Sequence, residues 1–216
     1  MANVFYKDYT PDLKFSNSNK PTYEECLEYF VLFLRNFSIF KSTDLEELER
    51  YWEYCEMAKN DAIVLPGEVC EQIVFISKGA IKHFTGGMES QYIIEFASDC
   101  DFSAGVRSFL GRIKAVDGFV CAKRTYGLKI SYKKYHKLIK DRPAFEQLLN
   151  LINDKANQNI RNRLISFQSM DAKGRYELML SQHPDVFEKF TMQDVSNYLG
   201  IKAETLSRLK KEIDKV

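Results

Sequence analysis

The sequence predicts an α+β chain: N-terminal helices, a jelly-roll β-barrel, one long helix and a C-terminal helix-turn-helix. Three observations predict it. Short β-rich runs recur at even spacing between residues 62 and 131. Helical periodicity without strand character takes over from Tyr132. Finally, Thr191–Ile213 carries two short amphipathic helices around a glycine.

Residues 1–21, rich in Asn, Ser, Lys and Pro, read as a loose arm. Thr22 with Glu25 three residues later forms a capping box, in which each side chain can satisfy the other's backbone N–H. The helix it opens, Tyr23–Asn36, shows a stripe of Leu27, Phe30, Val31 and Leu34. A second helix is expected from about Thr43 to Met57, after a Ser/Thr start and with acidic residues in its first turn. Strands are expected at Ala62–Leu65, Ile73–Ser77, Ala80–Phe84, Gln91–Phe96, Gly118–Ala122 and Leu128–Ser131. Turn signals such as Pro66-Gly67, Lys78-Gly79, Gly86-Gly87 and Ser98-Asp99 punctuate the earlier runs. No long helix alternates with these runs, so they indicate an antiparallel sandwich or jelly roll rather than βαβ units.

Pro143 opens a long helix reaching about Ser169, with Phe145, Leu148, Ile152, Ala156, Arg163 and Phe167 near one seam and polar Asn159 interrupting it. A partly polar seam of that length predicts a helix that packs on its own domain and on a second copy, making a homodimer. Met170–Gly174 supplies a break, with Gly174 as hinge or turn. The expected organisation is therefore 1–142 for arm, helices and barrel, 143–170 for the dimerisation helix, and 171–216 for the helix-turn-helix.

Composition excludes several classes. The 216 residues carry a net charge of +1, with only a slight basic surplus after Lys155, so charge alone identifies no nucleic-acid partner. The five cysteines, Cys26, Cys55, Cys70, Cys100 and Cys121, form no C-x-x-C and read as small buried hydrophobes in a reducing cytoplasm. No apolar run approaches a membrane span, and no membrane partner is expected. P-loop, G-x-S-x-G, metal-ligand spacing and paired carboxylates are all missing, so no enzyme, catalytic residue, metal or cofactor is expected.

The informative segment is TMQDVSNYLGIKAETLSRLKKEI, residues 191–213. Thr191 and Asp194 make a second box-like start, Gly200 stands where the first helix must reverse, and Leu206, Leu209 and Ile213 form the inner stripe of the second helix. Glu204, Ser207, Arg208 and Lys211 share its outer stripe. In a major groove Arg208 can donate two bonds to guanine, Glu204 can accept from cytosine N4, and Ser207 adapts to either. Thr191, Lys202, Thr205 and Lys211 suit phosphates of double-stranded DNA. A helical hairpin with a merely solvated polar face would show the same local pattern.

The segment resembles the DNA-binding domain of the Crp/Fnr superfamily of bacterial transcription regulators, whose recognition helix carries Glu-Thr-apolar-Gly/Ser-Arg where ETLSR stands at 204–208. Ser207 is more similar to the Fnr side of the superfamily. GEVCEQIVFISKGAIKHF (67–84) resembles the family's early barrel strands with their Lys-Gly hairpin, and ISYKKYHKLI (130–139) the strand exit and helix after its ligand cassette. The resemblance implies a cyclic-nucleotide-binding-like barrel, a winged helix-turn-helix, pseudo-palindromic sites, and RNA polymerase as a further partner. Against the family's Gly-Glu and Arg-Ser pairs for ribose and cyclic phosphate, alignment places Ala104-Gly105 and Ala115-Val116. Cyclic AMP is therefore not the expected effector, because its buried phosphate would lack a cation. Arg107, Arg112 and Lys114 could receive a different anion in an effector pocket with Ala104 and Gly105, or could lie solvated on the loop. No Cys cluster fits an iron–sulfur centre, and His83, His136 and His183 carry no axial-ligand pattern. The alternative function is a ligand-sensing module acting through protein–protein contacts.

Overall fold

The structure, a computed structural model, describes residue 15, residues 20–87 and residues 90–213; most of the arm read into residues 1–21 lies outside them. Helix α1 (Tyr23–Leu34) starts as expected: the Thr22 hydroxyl accepts from the Glu25 amide, and the Glu25 carboxylate accepts from the Thr22 amide at 2.8 Å. Its buried face, Cys26, Tyr29, Phe30, Phe33 and Leu34, covers β3 (Gln72–Lys78) and β8 (Thr125–Ser131).

The helix expected over Thr43–Met57 does not form. Two 3-10 turns, Ser42–Leu45 and Leu48–Arg50, lead into strand β1 (Glu53–Met57). Glu47, in left-handed backbone at φ 57°, stops helix propagation, and from Tyr54 burial alternates, with Cys55 and Met57 buried and Tyr54 and Glu56 more exposed. Leu- and Glu-rich helix formers upstream masked that period of two.

All six expected strands are present: β2 (Ala62–Val64), β3, β4 (Ala80–Gly87), β5 (Ser90–Ser98), β7 (Gly118–Cys121) and β8. β1 and the short β6 (Asp101–Ser103) join them in two antiparallel sheets of order β1-β8-β3-β6 and β2-β7-β4-β5. The Lys78-Gly79 turn is not a hairpin, since it carries the chain from β3 in one sheet to β4 in the other. Gly79 sits at φ 132°, where a Cβ would fall 2.5 Å from the Thr125 hydroxyl. A short helix, α2 (Val106–Gly111), interrupts the chain between β6 and β7.

Two cores result. In the first, Phe30 meets Trp52, Phe75 and Phe102, and Phe33 meets Phe75 and Phe102, at ring separations between 4.6 and 6.0 Å. α3 (Tyr132–Asp141) and the start of α4 (Ala144–Ser169) close it with Leu138, Phe145, Leu148 and Leu149. In the second, Ala80, Phe84, Ile93, Phe96, Val120 and Ala122 pack against Tyr176 and Met179 of α5 (Ala172–Gln182), Val186 of α6 (Val186–Lys189), and Val195, Leu199 and Leu206 beyond. β4 and β7 thus bury both faces: Ile81 and Cys121 belong to the first core, Ala80, Phe84 and Val120 to the second.

The break after α4 falls at Met170–Asp171 rather than at Gly174. Met170 turns extended at ψ 147°, and Asp171 caps α5 by accepting from the Gly174 amide at 2.8 Å, which places Gly174 in the first turn. All five cysteines are buried and free, and burial pushes the Cys55 and Cys100 thiols up to about 12, the setting of inert small hydrophobes. No helix among the described residues is long and apolar enough to cross a membrane.

Candidate nucleic-acid interface and sensor cavity

Helix α7 (Met192–Leu199) and helix α8 (Ala203–Ile213) form the helix-turn-helix expected at Thr191–Ile213. Thr191 caps α7 through a full capping box with Asp194. Gly200 ends the helix in left-handed backbone at φ 66°, ψ 36°. Leu206 is fully buried, while Glu204, Arg208, Lys211 and Lys202 are exposed and Ser207 and Thr205 half-buried. None of these six polar side chains has an intrachain ion pair or side-chain hydrogen bond among the described residues. The face predicted to meet DNA is therefore free, with Glu204, Ser207 and Arg208 spaced along one side. Thr191 is differently placed: its hydroxyl donates to Asp194 Oδ2 at 2.6 Å, and it fronts a groove shared with Lys82 and Gln91 of the barrel. The four-helix module carries no strand among residues 132–213, so a wing is not among the described residues.

The module is tied to the barrel by contacts that sequence reasoning missed. β5 is a sheet edge, and edge strands expose unpaired backbone groups. Asn197 of α7 satisfies two of them: Oδ1 accepts from the Ile93 amide at 2.7 Å, and Nδ2 donates to the Gln91 carbonyl at 2.8 Å. Lys82 pairs with Asp194 at 2.9 Å. Burial raises the Asp194 carboxyl, but the Thr191 hydroxyl and Lys82 outweigh it and hold the group below its ordinary value. Phe96 stacks 4.0 Å from Phe190 and 4.9 Å from Tyr198.

The seam predicted on α4 faces its own chain. Phe145 and Leu148 are in the first core, Ile152 and Ala156 line a cavity, and Arg163 lies over Tyr198. Phe167 packs beneath Arg163 and Arg175 and beside Gly200. The apolar residues that α4 leaves exposed are Ile160, Leu164 and Ile165, besides the edge of Phe167.

The cavity, about 450 Å³, lies between the barrel and α4. Ala104, Gly105, Arg107 and Lys114 line it, as do Ala115 and Val116. Arg112 does not: its guanidinium donates to the Cys70 carbonyl, pairs with Glu71 and lies 4.3 Å over the Tyr132 ring. Residues not foreseen, Glu95, His83 and Asp117, also line it. Glu95 accepts from Asn159 Nδ2 at 2.6 Å, and burial raises its pKa above the ordinary 4.5 despite that bond. This predicts a pH signature. Below about pH 4 the proton is bound in both states; as pH rises the unfolded chain ionises first and the native state loses stability until its own raised pKa is passed. Glu95→Gln, which keeps the acceptor for Asn159, should therefore melt like wild type near pH 4 and progressively above it as the pH rises. A melting difference that shrinks with pH would contradict the assignment.

The chain thus runs as a jelly-roll barrel, a 26-residue helix and a helix-turn-helix, in that order. No protein-family model matches the chain. The cAMP-activated global transcriptional regulator CRP of Pasteurella multocida (strain Pm70) is 24% identical, over 77% of this chain and 87% of that one. FixK2 from Bradyrhizobium japonicum superposes with a TM-score of 0.65 at 13% identity, covering 76% of this chain and 85% of its own. A transcriptional regulator of the Crp/Fnr family from Eubacterium rectale does so at 0.60 and 14%, covering 84% and 86%. The chain is thus similar at low identity to a CRP regulator and shares the fold of solved Crp/Fnr-family structures.

Proposed function

We propose that the chain is a sequence-specific, cytoplasmic DNA-binding transcription regulator, acting as a homodimer on pseudo-palindromic sites and not responding to cyclic AMP. The carrying observation is the free outer face of α8, Glu204, Ser207 and Arg208, on a helix whose inner face is anchored by Leu206. A major groove admits one helix, and outward residues near its N-terminus meet base edges. Lys202, Thr205 and Lys211 flank that face as phosphate contacts, with Thr191 serving first as the cap. The exposed Ile160, Leu164 and Ile165 on α4 support self-association, since apolar residues grouped on one helix gain by being covered. Ala104-Gly105 and Ala115-Val116 in the cavity wall leave a cyclic phosphate without a buried cation. RNA polymerase is the further partner such a regulator would have.

The test is a gel shift on fragments of the parent genome at defined salt, with competitor DNA. Arg208→Ala should cost about 1–3 kcal/mol and relax preference at one base pair, whereas Lys211→Ala should weaken all sequences alike. No fragment preferred over competitor would overturn the reading.

A further inference from the structure

Resting on the reading of the barrel as a sensor, we propose that the cavity beside α4 takes a small organic amine with an aromatic or aliphatic body. Its volume, about 450 Å³, suits a small-molecule site. Strand register builds the floor: Glu95 of β5 pairs with His83 of β4, and His83 with Phe119 of β7, so three side chains form one row across the sheet. The His83 ring stacks on Phe119 at 4.2 Å and 11°, and its buried Nε2 makes no hydrogen bond and lies 3.3 Å from Asp117 Oδ2. Glu95 receives Asn159 on Oε1 and no second donor among the described residues. Two carboxyl groups thus bracket the imidazole. The cations of the lining, Arg107 and Lys114, are both exposed, and apolar Phe102, Ile152, Ala156 and Ile160 supply much of the remaining wall.

A phosphate or carboxylate seated on this floor would face the Asp117 and Glu95 carboxyl groups with no lysine or arginine of the lining buried beside it, a costly arrangement. An ammonium group would instead donate charge-assisted hydrogen bonds to the two carboxylates. Its body would lie against the Phe119–His83 stack and the α4 aliphatics. Burial raises the Glu95 pKa above its ordinary value, and a neighbouring ammonium favours its ionised form.

Calorimetry on the full chain with tryptamine, indole-3-acetate and cyclic AMP separates the cases, because the first two share a ring and differ in charge. Tryptamine should bind one per chain, with both anions roughly tenfold weaker or worse. Glu95→Gln should weaken tryptamine roughly tenfold while preserving the Asn159 bond, and Asp117→Asn should weaken it too. An anion binding as tightly as tryptamine, no probe binding, or tryptamine affinity indifferent to both variants would overturn the proposal. The titration contains no DNA. A chain that shifts DNA but binds no amine therefore overturns this inference alone, and the converse overturns only the DNA-binding reading.

Discussion

Gly200→Val should destabilise the chain by about 3–5 kcal/mol, because two independent costs fall on one residue. The first is conformational. At φ 66° a β-branched side chain crowds its own backbone, a strain of about 1–3 kcal/mol. The second is steric. A Cβ at this position would stand 2.7 Å from Cε1 and 3.1 Å from Cζ of Phe167. That ring has little room to retreat, since the guanidinium groups of Arg163 and Arg175 lie 5.2 and 4.6 Å over it. Overpacking of this kind adds about 1–3 kcal/mol. Gly200→Asn isolates the second cost, because asparagine tolerates left-handed backbone, and urea unfolding should place it between wild type and valine. In a Gly200→Ala background, Phe167→Leu should recover part of the loss. Strict additivity of those two changes would show that the ring is not what the glycine accommodates.

That site shows which parts of the molecule were legible in the sequence. The caps of α1 and α7 and the left-handed Gly200 were readable because they depend on residues three or four apart, within one turn of chain. The strands were readable from their turn dipeptides, except β6, three residues that pair only with β3, and β1, whose alternation followed a helix-like run. Periodicity also placed Phe145, Leu148, Ile152, Ala156, Arg163 and Phe167 along one seam of α4, of which Phe145 and Leu148 are buried. It could not say what lies opposite a seam, and here much of that face meets the barrel and α7 of its own chain. The cavity floor was hidden for a related reason. Glu95, His83 and Phe119 are distant in sequence and meet only through strand register. One signal was available: Glu95 is the single charge in the apolar run YIIEF, and a charge there must find a partner, a proton or a cavity. Likewise β4 is apolar at both parities, Ile81 on one side and Ala80 and Phe84 on the other, which foretells a second layer such as the helical module.

Whether that module is held rigidly depends most on one side chain from α4, and Arg163→Met should cost about 2–4 kcal/mol. Arg163 donates from Nη2 and Nε to the Tyr198 carbonyl at 2.6 and 3.2 Å and from Nη1 to the Ile94 carbonyl at 3.5 Å. Tyr198 is in the last turn of α7, where carbonyls have no partner within the helix. Its ring also lies 4.5 Å beneath the guanidinium. Methionine retains much of the volume but donates nothing, leaving a part-buried carbonyl unsatisfied at about 1–3 kcal/mol and removing a cation–π contact of about 0.5–2 kcal/mol. Burial already lowers the arginine pKa, so methionine also relieves some desolvation, which keeps the total below the sum of those losses. Hydrogen exchange gives the sharper readout: amides of α7 and α8 should lose protection more than those of β3 and β8, which lie in the other core. Arg163→Lys should fall between, since one ammonium can serve the Tyr198 carbonyl but not fork to Ile94 as well. Equal loss of protection in both cores would instead make Arg163 a contributor to global stability, and the helical module would be held chiefly by Asn197 and the Phe96 stack.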